Sequence, residues 1–347
     1  VFPTLSIDRT KIKWEDYTSA LTPVELINGR WYKREDKFAP LGYGGINGSK
    51  LRQLIHLTSN YATKASGIIT GASVLSPQIS MGALVAEHYG LPITVVLGAT
   101  KPHSAISHEN VAIAARVGAE FIYTPVAFNP MIQRAVTKLL DTPEYANHYR
   151  LCYGITTPDN APASEIYDFH AVGAPQAANI PAEVKHLIIP SGSANSTVSI
   201  LLGIAQHRPA GLERISLIGI GPTRLDWIWN RLEQIEQHTG LQIRDLFTSV
   251  YHQHPDLAHE HQHSGPILLE HYDLHTTKFA AYTDKMPYQH DGIDFHPTYE
   301  GKVMTYLQQN RYQFPEWWEG HGDTMLWIVG SKPTRQAMTP HFPAMGA

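Results

Sequence analysis

A phrase of helix, glycine and strand occurs three times in the first third of the chain, and it restricts the fold more than any other feature. Leu51, Leu54, Ile55, Thr58, Tyr61 and Ala62 recur at helical spacing, and Gly67 stops them. Residues 67–70 then read Gly-Ile-Ile-Thr, a short buried strand. Residues 79–88 predict a helix closed at Gly90, with a strand over 92–97. Residues 105–117 predict another, closed by Gly118, with a strand over 120–123. Short apolar strands alternating with amphipathic helices belong in an open α/β sheet, its parallel strands joined by helices. The three phrases share a rhythm but no sequence, so a solenoid is not expected.

A second stretch of the same kind follows. Strands are expected at 187–189 and 215–220, and a helix at 195–207. Thr223 is placed to cap a helix running to about Gln237. A late strand covers 325–329 and ends at Gly330. Residues 141–182 are richer in Pro, Ala, Asp and Asn and read as a crossing between subdomains. Residues 251–297 are polar, His-rich and poorly periodic, so loops and short elements are expected there.

Composition removes several classes of function. With 347 residues, 43% of them hydrophobic, the chain can build a large core in two subdomains. A formal charge of −4 gives no reason to expect a nucleic-acid or membrane surface. Cys152 is the only cysteine, which excludes an intrachain disulfide and a multi-cysteine metal site and fits a reducing cytosol. No apolar run approaches the ~18 residues of a membrane span. Residues 1–9 lack the basic-then-apolar layout of a signal peptide.

Four segments carry chemistry. In the first, Lys33-Arg-Glu-Asp36 is followed by Gly44-Gly-Ile-Asn-Gly-Ser-Lys50-Leu-Arg52. A lysine after a Gly/Ser/Asn loop, opening an amphipathic helix, can form an imine if burial keeps its amine partly neutral. A solvated lysine at a helix start is the ordinary alternative. The second, Ser191-Gly-Ser-Ala-Asn-Ser-Thr197, follows a short apolar strand and opens a helix. Small residues there let backbone N–H groups converge on a phosphate, aided by the helix dipole. It lacks the Walker Gly-Lys-Ser/Thr and the three-glycine dinucleotide spacing, and an ordinary capping turn competes with the phosphate reading. The third, Ser76-Pro77-Gln78, lies after a strand and before a helix, where Ser76, Gln78 and first-turn N–H groups could hold a carboxylate; a simple cap explains it equally well. The fourth, Thr298-Tyr-Glu-Gly-Lys302, puts a phenol, a carboxylate and an amine together, though such a segment alone is usually a solvated helix start.

In this order, the four segments resemble the fold-type II enzymes that use pyridoxal 5′-phosphate (PLP), the tryptophan synthase β-like group. The branch that looks nearest holds 1-aminocyclopropane-1-carboxylate (ACC) deaminase and D-cysteine desulfhydrase. That resemblance implies two open, mostly parallel, three-layer α/β subdomains with the cofactor between them. It implies a larger PLP-binding domain of residues 1–53 plus 161–347, and a smaller inserted domain of 54–160. It makes Lys50 the Schiff-base lysine, which could also move protons at the substrate α-carbon. It makes Gly192, Ser193, Ala194, Asn195, Ser196 and Thr197 the phosphate loop. Ser76, Pro77 and Gln78 fall at the family's substrate-carboxylate position, with Ser76 also catalytic. Glu300 would face the pyridine nitrogen and keep it protonated. Tyr299 would lie over the substrate as acid or base. Tyr282 is the candidate for a further active-site tyrosine.

The chain departs from the pattern in three places. The loop before Lys50 is three residues longer than the family's Gly-Gly-Asn-Lys, Pro77 replaces an asparagine, and the stretch before Tyr299 is shortened. These changes fall around the substrate rather than the cofactor. Among the histidines at 252, 254, 259, 261, 263, 271 and 275, His259-x-His261-x-His263 has a spacing that could bind a metal, but a solvated or interface loop is the expectation, and no metal. The tryptophans at 227, 229, 317 and 318 are expected in the core or a dimer contact. The function expected is therefore a cytoplasmic, homodimeric PLP-dependent lyase, hydrolase or deaminase acting on a small amino acid, in the manner of ACC deaminase or D-cysteine desulfhydrase. A β-replacement synthase or serine/threonine dehydratase of the same fold is the alternative. A catalytically silent PLP-binding protein is the alternative of another class.

Overall fold

The structure, a computed structural model, describes residues 20–41, 46–99, 102–125, 127–221, 224–252, 264–281 and 283–332. Thr223, Tyr282 and the histidines at 254, 259, 261 and 263 lie outside these residues. In chain order the first elements are β1 (Val24–Ile27), β2 (Arg30–Arg34), α1 (Ser49–Asn60), β3 (Gly67–Ser73), α2 (Pro77–His88), β4 (Ile93–Gly98), α3 (Pro102–Ala105), α4 (Glu109–Arg116), β5 (Glu120–Thr124), α5 (Asn129–Leu140) and β6 (His148–Leu151). There follow α6 (Ala163–Ala171), β7 (His186–Ser191), α7 (Asn195–His207), β8 (Arg214–Gly219), α8 (Leu225–Thr239), β9 (Phe247–Tyr251) and β10 (Ile267–Asp273). The last are β11 (Tyr288–His290), β12 (Ile293–Phe295), α9 (Glu300–Gln309), α10 (Pro315–Glu319) and β13 (Thr324–Ile328).

The chain divides into two compact units, Ala39–Asn160 and Ser19–Phe38 with Ala161–Lys332. A boundary after residue 53 would fall inside the continuous helix α1.

The smaller unit is built on an all-parallel sheet of order β5-β4-β3-β6. Its interior strands β3 and β4 are buried on both faces because both faces are covered, whereas the edge strands β5 and β6 are partly exposed. Ile69 of β3 and Val96 of β4 pack against Ile132 and Val136 of α5. On the other face α2 approaches Ile93 and Leu151 so closely that a Cβ at Gly82 would meet them at 3.3 and 3.5 Å. Helix α1 packs beside α2.

The larger unit holds a seven-stranded sheet of order β1-β2-β13-β7-β8-β10-β9, parallel except for the β1–β2 hairpin. Alternation along each strand divides its core in two. Leu187, Ile189, Ile215, Leu217, Met325 and Trp327 join α6, α7 and α8 on one side. Ile188, Ile218, Leu326 and Ile328 join α9 and α10 on the other. Three layers follow from that split. Strand β10, within the stretch expected to be loops, sits between β8 and β9 over seven residues. Helix α6 likewise occupies part of the expected crossing, burying Ile166, Phe169 and His170.

Candidate active site

In the smaller unit, Gly48 precedes α1 at φ 86° and ψ −172°, a conformation open essentially to glycine alone. It turns the chain sharply into Ser49 and Lys50 at the helix start. Burial withdraws water from the Lys50 ammonium and lowers its pKa from 10.5 to about 8. The neutral amine is then far more populated near neutral pH than in a solvated lysine, as a carbonyl-reactive lysine requires.

Ser76 caps α2, its Oγ accepting the Gln78 N–H at 3.4 Å, and Pro77 takes the first helical position where its missing N–H costs nothing. Gln78 corrects an expectation. Its Nε2 donates to Thr70 Oγ1 at 2.6 Å and to the Cys152 carbonyl at 3.1 Å, and its Oε1 accepts the Gly154 N–H at 2.7 Å. Both side-chain donors are thus taken within the unit, leaving none for a substrate carboxylate. Gln78 is a brace between β3 and the chain after β6.

In the larger unit, β7 ends at Ser191 and the loop 192–194 leads into α7. Ala194, the N-cap, holds φ 68°, ψ −3°, a left-handed conformation that costs a non-glycine residue about 1–2 kcal/mol. The turn rotates the first-turn N–H groups of α7, which by construction lack helical acceptors, toward the loop. Thr197 Oγ1 donates to Ser191 Oγ at 3.0 Å and ties the two ends of the loop together. Space remains over the loop. A Cβ at Gly192 would meet only Ile220, at 3.6 Å, and Cε1 of Tyr299, at 3.8 Å. Tyr299 is thereby placed against the phosphate-type loop, although it lies about a hundred residues away in sequence.

Glu300 is the first residue of α9 and is 1% exposed. Its Oε1 accepts the Val329 N–H at 3.1 Å, while Oε2 is buried without a hydrogen-bond partner. Burial pushes its pKa from 4.5 up to about 8. An orphaned buried carboxyl oxygen calls for a donor that the protein does not provide, and the protonated nitrogen of a pyridinium ring is such a donor. Gly301 must be glycine for a different reason, since a Cβ would lie 2.1 Å from the Met286 carbonyl oxygen. Lys302 is buried and donates to the Ala281 carbonyl at 2.6 Å, so it serves the adjoining turn. Within the larger unit, the orphan oxygen of Glu300 and the open loop at 192–197 fit a ring-nitrogen partner and a phosphate seat for PLP; within the smaller unit, the partly neutral Lys50 amine fits a carbonyl-reactive lysine.

Other marked residues do structural work. Lys33 is buried in β2 and donates to Asn179 Oδ1 at 2.6 Å, and Arg34 pairs with Glu25 and Asp36 at 2.6 and 2.8 Å. His252 pairs with Glu270 at 3.1 Å, and His271 stacks on Tyr251 at 4.6 Å. Among the described residues no group of His, Cys, Asp and Glu could hold a metal ion, and no helix is long and apolar enough to cross a membrane. One feature escaped the sequence entirely. A small open pocket adjoins the phosphate-type loop, lined by Ser191, Gly192, Arg224, Tyr251, His271 and Asp273 among others. Its members come from four strands and a helix start, and only the rule that open α/β sheets bind ligands at their carboxyl edge could have pointed there.

No family model matches the chain. Over 99% of its length it is 40% identical to the O-seryl-dTMP PLP-dependent decarboxylase of Salmonella phage ViI, of which it covers 89%. Its fold is similar to that of an ACC deaminase homologue, with a TM-score of 0.64 at 17% identity over 90% of this chain and 89% of that one. It is also similar to threonine deaminase isoform 2 from Solanum lycopersicum, with a TM-score of 0.54 at 12% identity over 93% and 87% of the two chains. Diaminopropionate ammonia lyase from Escherichia coli gives 0.53 at 11% identity over 100% and 96%.

Proposed function

The chain belongs to the fold-type II PLP-dependent enzymes, and from that membership we propose that it is a decarboxylase acting on a seryl group carried by a thymidine nucleotide. The observation that carries this reading is the 40% identity, over nearly the whole chain, to a decarboxylase of O-seryl-dTMP. The deaminase-like and desulfhydrase-like expectations rested on a branch whose likeness to this chain, at 17% identity, is one of fold. The same holds for dehydration and β-replacement. A silent PLP-binding protein would need Lys50 to hold the cofactor but would have no use for Tyr299 and Glu300 as well. The mild negative charge argues against an extended nucleic-acid surface, but a substrate joined to one nucleotide needs only a local seat.

PLP, when bound, supplies an electron sink for the bond that breaks at the α-carbon. The protein's own residues do the rest. The N–H groups of 192–197 at the start of α7 hold the phosphate, and the Ala194 turn fixes their direction. Glu300 Oε2 holds the proton at the ring nitrogen. Ser76 and the first-turn N–H groups of α2 orient the substrate carboxylate; Gln78 keeps that turn in place from behind. Tyr299, against Gly192, excludes water and orients the amino acid. The bond from the α-carbon to the carboxylate breaks, carbon dioxide leaves, and the Lys50 ammonium delivers a proton to the same carbon. The primary amine and the ether to the nucleotide are retained.

Incubation of the holoenzyme with O-seryl-dTMP tests the reading. One carbon dioxide should form per substrate consumed, leaving an aminoethyl ether. Release of ammonia without carbon dioxide, or no reaction, overturns it.

A further inference from the structure

The phosphate-type loop and the small pocket beside it share Ser191 and Gly192, yet they differ in what they offer an anion. The loop offers backbone N–H groups. The pocket adds a guanidinium, that of the exposed Arg224, at the entry to α8. Its floor is made by Gly192 and Gly219, at the carboxyl ends of β7 and β8, and its back wall by Tyr251 and His271. That wall is held firmly. The Trp229 indole N–H donates to the Tyr251 hydroxyl at 2.7 Å, and the His271 ring lies parallel to Tyr251 within 7°. The one carboxylate in the lining is already engaged. Asp273 Oδ1 accepts the N–H groups of His275 and Thr276, each at 2.9 Å, and Oδ2 accepts the Thr276 hydroxyl at 2.8 Å. These bonds fix both Asp273 oxygens on the following turn, and Arg224 supplies the positive charge that attracts an anion. The pocket encloses about 30 Å³, room for a group of a few atoms rather than a whole nucleotide.

We infer that this pocket is a second anion seat, in which Arg224 receives the phosphate of the nucleotide that carries the amino acid. The inference rests on the decarboxylase reading for the identity of the substrate, but not for the existence of the seat. A seryl group on thymidylate has two anionic ends. One, the carboxylate, must lie at the reacting carbon; the other needs a separate partner. The pocket provides one on the same carboxyl edge of the same sheet as the phosphate-type loop, where open α/β sheets take ligands. A guanidinium suits a phosphate better than an ammonium because it donates in a planar fork. The phosphate could belong to a free nucleotide or to one within a DNA strand, and both present the same oxygens to Arg224.

The test uses the holoenzyme with thymidine 5′-monophosphate, thymidine and a short oligothymidylate as probes, read by calorimetry. The monophosphate should bind at least about ten-fold more tightly than thymidine, and Arg224→Gln should abolish that difference. Oligothymidylate that binds with the same Arg224 dependence assigns the polymer as the source; monophosphate alone assigns the free nucleotide. PLP uptake by the Arg224→Gln apoprotein, followed by absorbance, should match wild type. Equal binding of monophosphate and thymidine, or no effect of Arg224→Gln on monophosphate, overturns the seat. A parallel loss of PLP uptake also overturns it, because the pocket would then belong to the cofactor. Carbon dioxide release from O-seryl-dTMP separates the two claims. Turnover with an unchanged KM in Arg224→Gln refutes the seat and keeps the decarboxylase. Arg224-dependent binding without turnover refutes the decarboxylase and keeps the seat.

Discussion

Replacing Glu300 with glutamine should act on stability and on catalysis in opposite directions. In the apoprotein the Glu300 carboxyl titrates at about 8 instead of 4.5, because burial disfavours its anion. Between those pH values the folded state binds a proton that the unfolded state has released. Stability contributed at this position is therefore greatest below pH 4.5, falls as pH rises, and levels off above about 8. At about 1.36 kcal/mol per pH unit, the loss between pH 5 and pH 8 is roughly 3–4 kcal/mol. Glu300→Gln removes it and flattens that part of the profile. Six of the seven tryptophans, those at 31, 227, 229, 317, 318 and 327, fall in the larger unit, so urea unfolding of the apoprotein followed by fluorescence reports mainly on the right body. The gap between variant and wild type should widen in the variant's favour from pH 5 to pH 8. With PLP bound the amide cannot hold a proton at the ring nitrogen, and carbon dioxide release should fall by about 10²-fold or more. Parallel pH profiles for the two proteins would refute the assignment of a raised carboxyl pKa to Glu300. Undiminished turnover would refute its role at the ring.

Gln78→Leu should destabilise the protein by about 1–3 kcal/mol, since it takes the acceptor from the buried Gly154 N–H, while the Thr70 hydroxyl keeps its bond to the Leu151 carbonyl; a substrate-binding role would instead raise KM at unchanged stability, and thermal melts beside kinetics tell the two apart. Gly203→Ala places a Cβ 2.1 Å from the Ala174 carbonyl oxygen, so α7 must shift, at a cost of about 1–3 kcal/mol, and the loop leading into it should bind PLP more weakly in an absorbance titration.

The strands and helices of the first third were legible because each glycine stop coincides with a change of period. Strand β10 was not, although it occupies an interior place in the larger sheet. Its sequence, Ile-Leu-Leu-Glu-His-Tyr-Asp, ends in four ionisable residues, of which Glu270, His271 and Asp273 look like loop chemistry. The fold absorbs each of these three. Glu270 is held below its ordinary pKa by hydrogen bonds from Arg214, His252 and Ser216 despite its burial, His271 stacks on Tyr251, and Asp273 closes the following turn. The partners of Glu270 and His271 are distant in sequence, so no local pattern could announce them, and the turn that Asp273 closes is local and reads as loop. Helix α6 was hidden similarly, with an apolar face of only Ile166 and Phe169 beside His170. At the site, the loop at 192–197 and the Tyr299-Glu300 pair were visible as residue types in order. The free oxygen of Glu300 and the bracing role of Gln78 depend on hydrogen bonds that sequence does not display. The pocket at Arg224 depends on the order of strands in the sheet.

The central claim is that Lys50 carries the cofactor. Borohydride reduction of the yellow holoenzyme, followed by peptide mass analysis, should place a single pyridoxyl phosphate adduct on the peptide containing Lys50, and Lys50→Ala should abolish both the adduct and the borohydride-sensitive absorbance. An adduct on Lys33, Lys302 or any other lysine, or a protein that takes up no PLP, would contradict it.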